Sequence, residues 1–283
     1  MGCMDIAFLG LGRMGRELVP HLIDAGHRVT AWNRSPGPTE AVGRRGARIA
    51  ATAAEAVEGA EVVVSVLFGP EAVRETIVQP SLPIPPGALW IDLTTVAPSD
   101  AAEFDAWASS TGVRYVHSPV IGSLAPARAG RLAVLIGGRK DAVREARNVV
   151  ILWADPDKLL TFDSPAQAAV AKLVANLALA ISTEALSETL RLGTTGGLSA
   201  DEVLSVLPLT TIASIAGMKG PVIASGDFGD TQFSAALLAK DLRLILATAD
   251  SPLPAAALVA AELHRAIDAG LGESDFSVLA RDR

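Results

Sequence analysis

Two groups of residues in this chain have the types and spacing to do chemistry. The first is Gly10-Leu11-Gly12-Arg13-Met14-Gly15, a G-x-G-x-x-G turn that ends a short apolar run and opens a helical pattern. The first glycine permits a tight turn, the second lets the backbone approach a pyrophosphate, and the third lets helix and strand pack closely. Backbone N–H groups at the helix start then face the anion. The second group is Lys172 and Asn176, spaced i, i+4 on one face of a long apolar segment. Burial disfavours an ammonium, so a lysine there holds its proton loosely enough to exchange it with an oxygen. Together the two groups suit hydride transfer from a dinucleotide to a carbonyl, with Lys172 supplying the proton. On spacing alone, Lys172 and Asn176 also fit a solvated lysine beside a polar neighbour.

The residues after the second apolar run choose the dinucleotide. NAD-binding folds place an Asp or Glu there to accept from the ribose 2′-hydroxyl. This chain has no acid between Val29 and Thr39 and offers Asn33, Arg34 and Ser35 instead. A cation flanked by hydrogen-bonding side chains suits a 2′-phosphate, so the expected cofactor is NADP(H). An arginine on a solvated loop would read the same way.

These residues need elements to hold them. Candidate strands are 6–9, 29–32, 48–50, 62–66, 89–92, 114–116 and 132–136, with helical patterns at 13–25, 70–77, 99–110 and 141–152. Strands alternating with helices predict an α/β, Rossmann-type doubly wound parallel sheet. Pro20 lies inside the first helix, where it costs a hydrogen bond and bends the axis; no function attaches to it. After Phe162 only helical patterns follow, at 166–194, 200–207, 233–249 and 254–269. The expected division is a cofactor domain over 1–162 and an all-α substrate and dimerisation domain over 163–283, the latter opening with an interdomain helix at about 166–194.

Composition limits the alternatives. The 283 residues are 50% hydrophobic and 19% charged, so a sizeable core can form. A net charge of −7 without a Lys/Arg stripe argues against a nucleic-acid surface. The single cysteine, Cys3, cannot form an internal disulfide and suits a reducing cytoplasm. The start lacks signal-peptide character, because Asp5 interrupts it and the apolar run is short. The apolar 166–181 stretch is broken by Gln167, Lys172 and Asn176 and falls short of the roughly 20 residues a bilayer needs, so it reads as a buried helix. No metal, membrane or nucleic-acid partner is expected.

The chain resembles the β-hydroxyacid dehydrogenases, which include 3-hydroxyisobutyrate dehydrogenases and glyoxylate/succinic semialdehyde reductases. Five motifs in order carry the resemblance: Gly10 to Gly15, Gly26-His27-Arg28-Val29, Asp92-Leu93-Thr94-Thr95-Val96-Ala97-Pro98, Lys172 with Asn176, and Lys240-Asp241-Leu242-Arg243-Leu244 with Phe233. The resemblance implies that Lys172 is the general acid in reduction and that Asn176 positions it or the substrate. It implies that Thr95 and the Leu67 segment lie near the cofactor, and that Phe233 and Lys240 close over the nicotinamide. A homodimer or homotetramer is likewise implied.

The substrate loop departs from the pattern. Pro119-Val120-Ile121-Gly122-Ser123 has Ile121 where the semialdehyde reductases carry a serine that bonds the substrate carboxylate. Gly122 and Ser123 keep donors nearby. The glycines that usually precede the lysine helix are replaced by Asp163-Ser164-Pro165-Ala166-Gln167-Ala168, still a good helix start with Ser164 as N-cap.

Three functions compete. The first is an NADPH-dependent reductase of a small aldehyde or ketone, with Lys172 as acid. The second is an NADPH-dependent imine reductase, for which Ile121 speaks and against which Lys172 speaks. The third is a non-catalytic NADP-binding protein, disfavoured by the joint presence of Lys172, Asn176 and Lys240.

Overall fold

The computed structural model describes residues 2–281 and divides into two compact units, Met1–Lys172 and Leu173–Arg283. The first unit is built on a nine-stranded sheet. Its strands are β1 (Asp5–Leu9), β2 (Arg28–Trp32), β3 (Arg48–Ile49), β4 (Val62–Ser65), β5 (Leu89–Asp92), β6 (Arg114–His117), β7 (Val120–Ile121), β8 (Leu132–Gly138) and β9 (Ala154–Phe162). β3-β2-β1-β4-β5-β6 are parallel in that spatial order, the doubly wound arrangement that binds dinucleotides at the carboxyl ends of its strands. β8 reverses direction against β6 and β7, and β9 runs parallel to β8.

Central strands are buried on both faces, so they read as unbroken apolar runs such as Val62-Val63-Val64. One face packs Phe8, Val64 and Ile91 under the helices Arg13–Asp24 and Lys140–Val150. The other packs Leu9, Val63, Trp90 and Tyr115 under the helix Pro98–Ser110, with Ala169 from the start of the long helix Pro165–Thr195. Full burial of Phe8 and Trp90 contributes about 2–3 kcal/mol each.

Two strands were absent from the sequence expectation. β7 has only two residues, and β9 is an edge strand that Asp155, Pro156, Asp157 and Lys158 disguise. Charges and proline on an edge strand discourage pairing with other chains. Short helices Thr39–Arg44, Ala53–Val57 and Leu124–Arg128 also lacked a readable period. The helix Arg13–Asp24 runs four residues past Pro20.

The second unit is helical: most of Pro165–Thr195, then Ala200–Val206, Ala213–Ser225, Ala235–Thr248, Pro254–Ala266 and the 3₁₀ turn Phe276–Ala280. Ala213–Ser225 was not expected, because Gly217, Gly220 and Pro221 read as breakers. Phe233 lies before its helix, which starts at Ala235 with Ser234 accepting from the Leu237 N–H. The long helix has 31 residues, nearly twice the apolar stretch read from sequence, and is long and apolar enough to cross a membrane by length and composition. Its burial is one-sided. Ala168, Ala169, Leu173, Ala180 and Leu186 are covered, whereas Val170, Val174, Ile181 and Leu192 form an exposed apolar stripe. Asn176, Thr183, Glu184 and Ser187 are buried polar residues on the same helix, each with a hydrogen-bond partner.

Candidate active site

The glycine turn has the geometry its residues foretell. Gly10 sits at φ +101°, and a Cβ there would stand 2.2 Å from the Val66 carbonyl oxygen. A Cβ on Gly15 would stand 2.1 Å from the Gly10 carbonyl oxygen, so helix and turn touch backbone to backbone. Around Gly12 nothing lies within 4 Å of the same construction. The close-packed glycines flank one that leaves room for a ligand. Gly12 also caps the Arg13–Asp24 helix without a side-chain bond and no acid occupies its first turn, so its leading N–H groups suit an anion. The residues present therefore fit a dinucleotide pyrophosphate, with Leu11 buried and Arg13 and Met14 half-buried on the first turn.

Asn33 has a different task from the one its type suggests. Its Oδ1 accepts from the Leu11 N–H at 2.8 Å, and its Nδ2 donates to the Ser35 carbonyl at 2.8 Å and hydroxyl at 3.1 Å. The side chain thus braces the glycine turn against the loop after β2. Arg34 and Ser35 are exposed on that loop.

At the other end of the edge, the loops after β4 and β5 are tied together. The Leu67 N–H donates to Thr94 Oγ1 at 3.0 Å, and the Thr94 N–H donates to Asp92 Oδ1 at 3.1 Å. Thr95 is half-buried beside them. In the substrate loop, Ile121 is half-buried in β7, paired with Ala133. Gly122 takes φ +134° and faces Leu132, where a Cβ would fall 2.7 Å from a side-chain carbon. Ser123 starts the Leu124–Arg128 helix without using its hydroxyl as a cap. That helix is held by Arg128 on Glu17 at 2.8 Å and by His21 Nε2 on the Ala127 carbonyl at 2.8 Å.

Ser164 caps the long helix, accepting from the Gln167 N–H at 3.3 Å. The close approach that glycines in this segment would give comes from the strand instead: a Cβ on Gly137 would lie 2.2 Å from the Ser164 carbonyl oxygen and 2.9 Å from Ala168 Cβ. Lys172 follows one turn later, half-buried. Asn176, 4% exposed, donates through Nδ2 to Asp241 Oδ2 at 2.5 Å. Lys240 Nζ stands 2.7 Å from Asp241 Oδ1, an ion pair whose geometry is not that of a hydrogen bond. Asp241 was quoted in a motif but given no role; the structure makes it the group that orients Asn176 and neutralises Lys240.

Phe233 sits in a loop pinned by a buried ion pair. Lys219 Nζ donates to Asp275 Oδ2 at 2.9 Å, and the same oxygen accepts from the Gln232 N–H at 3.2 Å. Burial raises the Asp275 carboxyl, but the Lys219 ammonium and Ser277 outweigh it and hold it below the usual carboxylate range. The Phe233 ring packs edge-on against Phe276 at 6.0 Å. Among the described residues no cluster of His, Cys, Asp or Glu could hold a metal ion.

Comparison with known proteins agrees with this geometry. Residues 5–161 match the family model for the NAD-binding domain of 6-phosphogluconate dehydrogenase. Residues 166–282 match that for the NAD-binding part of NADP-dependent 3-hydroxyisobutyrate dehydrogenase. A probable 3-hydroxyisobutyrate dehydrogenase of Mycobacterium tuberculosis is 32% identical over 97% of this chain and 96% of its own length. Glyoxylate/succinic semialdehyde reductase 1 of Arabidopsis thaliana is 29% identical over 98% and 97%. Among solved structures, the M. tuberculosis 3-hydroxyisobutyrate dehydrogenase with L-serine superposes with a TM-score of 0.87 at 31% identity, covering 99% of this chain and 98% of that one. Psf3 in complex with NADP+ and 2-OPP gives 0.88 at 25%, covering 97% and 98%. An imine reductase from Pseudomonas sp. shares the fold, with a TM-score of 0.66 at 22% identity over 98% of both chains. With its glycine turn, its lysine helix and its matches over nearly the whole length, the chain belongs to the β-hydroxyacid dehydrogenase family of NAD(P)-dependent oxidoreductases.

Proposed function

We propose that the protein is an NADPH-dependent reductase of a small aldehyde or ketone of the semialdehyde/β-hydroxyacid class. The observation that carries this reading is the Asn176–Asp241–Lys240 cluster, whose amide lies one helical turn from Lys172 on the same face. Lys172 gives its proton to the carbonyl oxygen as negative charge develops there, and takes it back in the oxidative direction. Asn176, fixed by Asp241, orients the lysine or the reacting oxygen. A bound reduced dinucleotide would supply the hydride. Gly10 to Gly15 would hold its pyrophosphate, Arg34 and Ser35 its 2′-phosphate, and Leu67 and Thr95 would line the nicotinamide half. Phe233 and Lys240 are assigned to the cofactor by the family resemblance alone. Gly122 and Ser123 offer the substrate donors, and Ile121 gives it an apolar wall.

That wall is the specific observation in favour of a second reading, reduction of an imine, together with the fold shared with the Pseudomonas enzyme. One experiment separates them: NADPH oxidation by wild type and Lys172→Ala on glyoxylate, succinic semialdehyde, methylmalonate semialdehyde, uncharged aldehydes and cyclic imines. The expected result is turnover on a carbonyl compound that falls by about 10²–10⁴ in Lys172→Ala with NADPH affinity unchanged. Retained turnover in the variant sinks the acid assignment, and turnover confined to imines replaces the substrate class.

A cytoplasmic location is part of the proposal, in keeping with an exposed free Cys3. So is a homodimer or homotetramer, for which the exposed stripe on the long helix is the support. The partners are then small molecules and copies of the same chain; no nucleic acid or membrane is proposed.

A further inference from the structure

One fully buried polar row does not enter the mechanism above. Ser65, Asp92 and His117 are register partners across β4, β5 and β6, and Gly137 on β8 continues the row beyond His117. All three side chains are 0% exposed. They share the sheet face of Trp90 and Tyr115, the residues two positions earlier on β5 and β6.

The row is organised around one carboxylate. Asp92 Oδ1 accepts from the Ser65 hydroxyl at 2.7 Å and from the Thr94 N–H. Asp92 Oδ2 accepts from the Tyr115 hydroxyl at 3.3 Å and lies 3.7 Å from His117 Nδ1. Trp90 Nε1 donates to the Ser65 hydroxyl at 2.8 Å, which leaves that hydroxyl's proton for Asp92. His117 Nε2 has no partner among the described residues, and neither has the buried Ser118 hydroxyl. The field of the carboxylate is felt locally: burial first, and then Asp92, push the Tyr115 phenol well above its usual range.

The position of this row gives it a consequence. In a doubly wound fold the dinucleotide spans two mononucleotide halves, and β4–β6 form the second, where the nicotinamide belongs. Asp92 and His117 end β5 and β6, at the carboxyl edge of that half. Oxidised nicotinamide is cationic and reduced nicotinamide is neutral, so a buried negative charge near that edge would distinguish the two.

We propose that the buried Asp92 carboxylate makes this site favour the oxidised over the reduced cofactor. The inference rests on the cofactor reading above. Other charged groups face the row. Asp100 and Asp105 on the helix Pro98–Ser110 act on Tyr115, and their charges are offset by Arg74 and Arg139. Lys172 follows one turn after Ala168 and Ala169, which lie on this face. Ser65, Thr94 and Tyr115 all donate to Asp92, the hydrogen bonding that suits a carboxylate.

The test is the ratio of the dissociation constants of NADP+ and NADPH, measured on the whole protein by calorimetry and by nicotinamide fluorescence. Asp92→Asn keeps an acceptor for Ser65 and Thr94 and removes the charge, so NADP+ should weaken about tenfold relative to NADPH. Tyr115→Phe keeps the charge and should leave the ratio unchanged. Asp92→Ser removes the charge with a smaller side chain, serves where Asp92→Asn does not fold, and should shift the ratio in the same direction. A ratio that the charge-removing variants leave alone, or that Tyr115→Phe shifts equally, overturns the inference. Failure of the wild type to bind either form would instead overturn the cofactor reading itself.

Discussion

Arg34 and Asn33 adjoin one another, yet Asn33 is turned into the protein and Arg34 is exposed. Asn33 uses its oxygen and its amide hydrogens inside the protein, on Leu11 and Ser35. It therefore shapes the loop, and in the proposed NADPH reading the exposed Arg34 is the group that discriminates a phosphate from a hydroxyl. A charge-assisted guanidinium–phosphate bond of about 1.5–3 kcal/mol corresponds to roughly 10–150-fold in affinity. Arg34→Ala should weaken NADPH by that order and NADH by much less, as read from the two dissociation constants. Equal losses would remove Arg34 from cofactor selection. Asn176 is held within the protein in the same way as Asn33. The amide is fixed by Asp241, so its orientation is part of the fold rather than a response to substrate.

At the scale of elements, the glycine turn separates binding from folding. Gly12 has open space around it at φ −62°, a conformation alanine accepts, while Gly15 abuts the Gly10 carbonyl. Gly12→Ala should melt like the wild type and bind NADPH more weakly. Gly15→Ala should lower the melting temperature as well, since overpacking of this kind costs about 1–3 kcal/mol. Melting curves with and without cofactor distinguish the two, and identical behaviour would refute the division. This turn was legible because each glycine answers to backbone sterics within a few residues. β4 and β5 were legible because strands buried on both faces show unbroken apolar runs. β9 was not, since an edge strand is under no pressure to be apolar. Nor was the Ala213–Ser225 helix: Gly220 there makes room for Leu204, a contact across the fold that local propensity cannot announce. Asp92 shows the same limit at the site. Its motif was visible, but its links to Ser65, Tyr115 and His117 depend on strand register.

For the whole molecule, the long helix raises the question of what covers its outer side. Val170, Val174, Ile181 and Leu192 project from one stripe, and Leu192 is 74% exposed. An apolar stripe of this length is a plausible cost only when another surface buries it. Sedimentation of the wild type should give a multiple of 29.2 kDa, and Val174→Asp with Leu192→Asp should shift it toward the single chain. A wild type that sediments as a monomer would exclude the self-association proposed above.

The same helix has a bearing on inheritance. The two family matches part between residues 161 and 166, whereas the packing boundary falls just after Lys172. Its first two turns are fitted to the sheet, with Ala168 against Gly137 and Ala169 among Trp90 and Tyr115. A chimera joined where the sequence families divide would thus import its first two helical turns from the wrong parent, along with the lysine. One joined inside the helix, after Lys172, would keep the sheet, its covering turn and the proposed proton donor together as one heritable block.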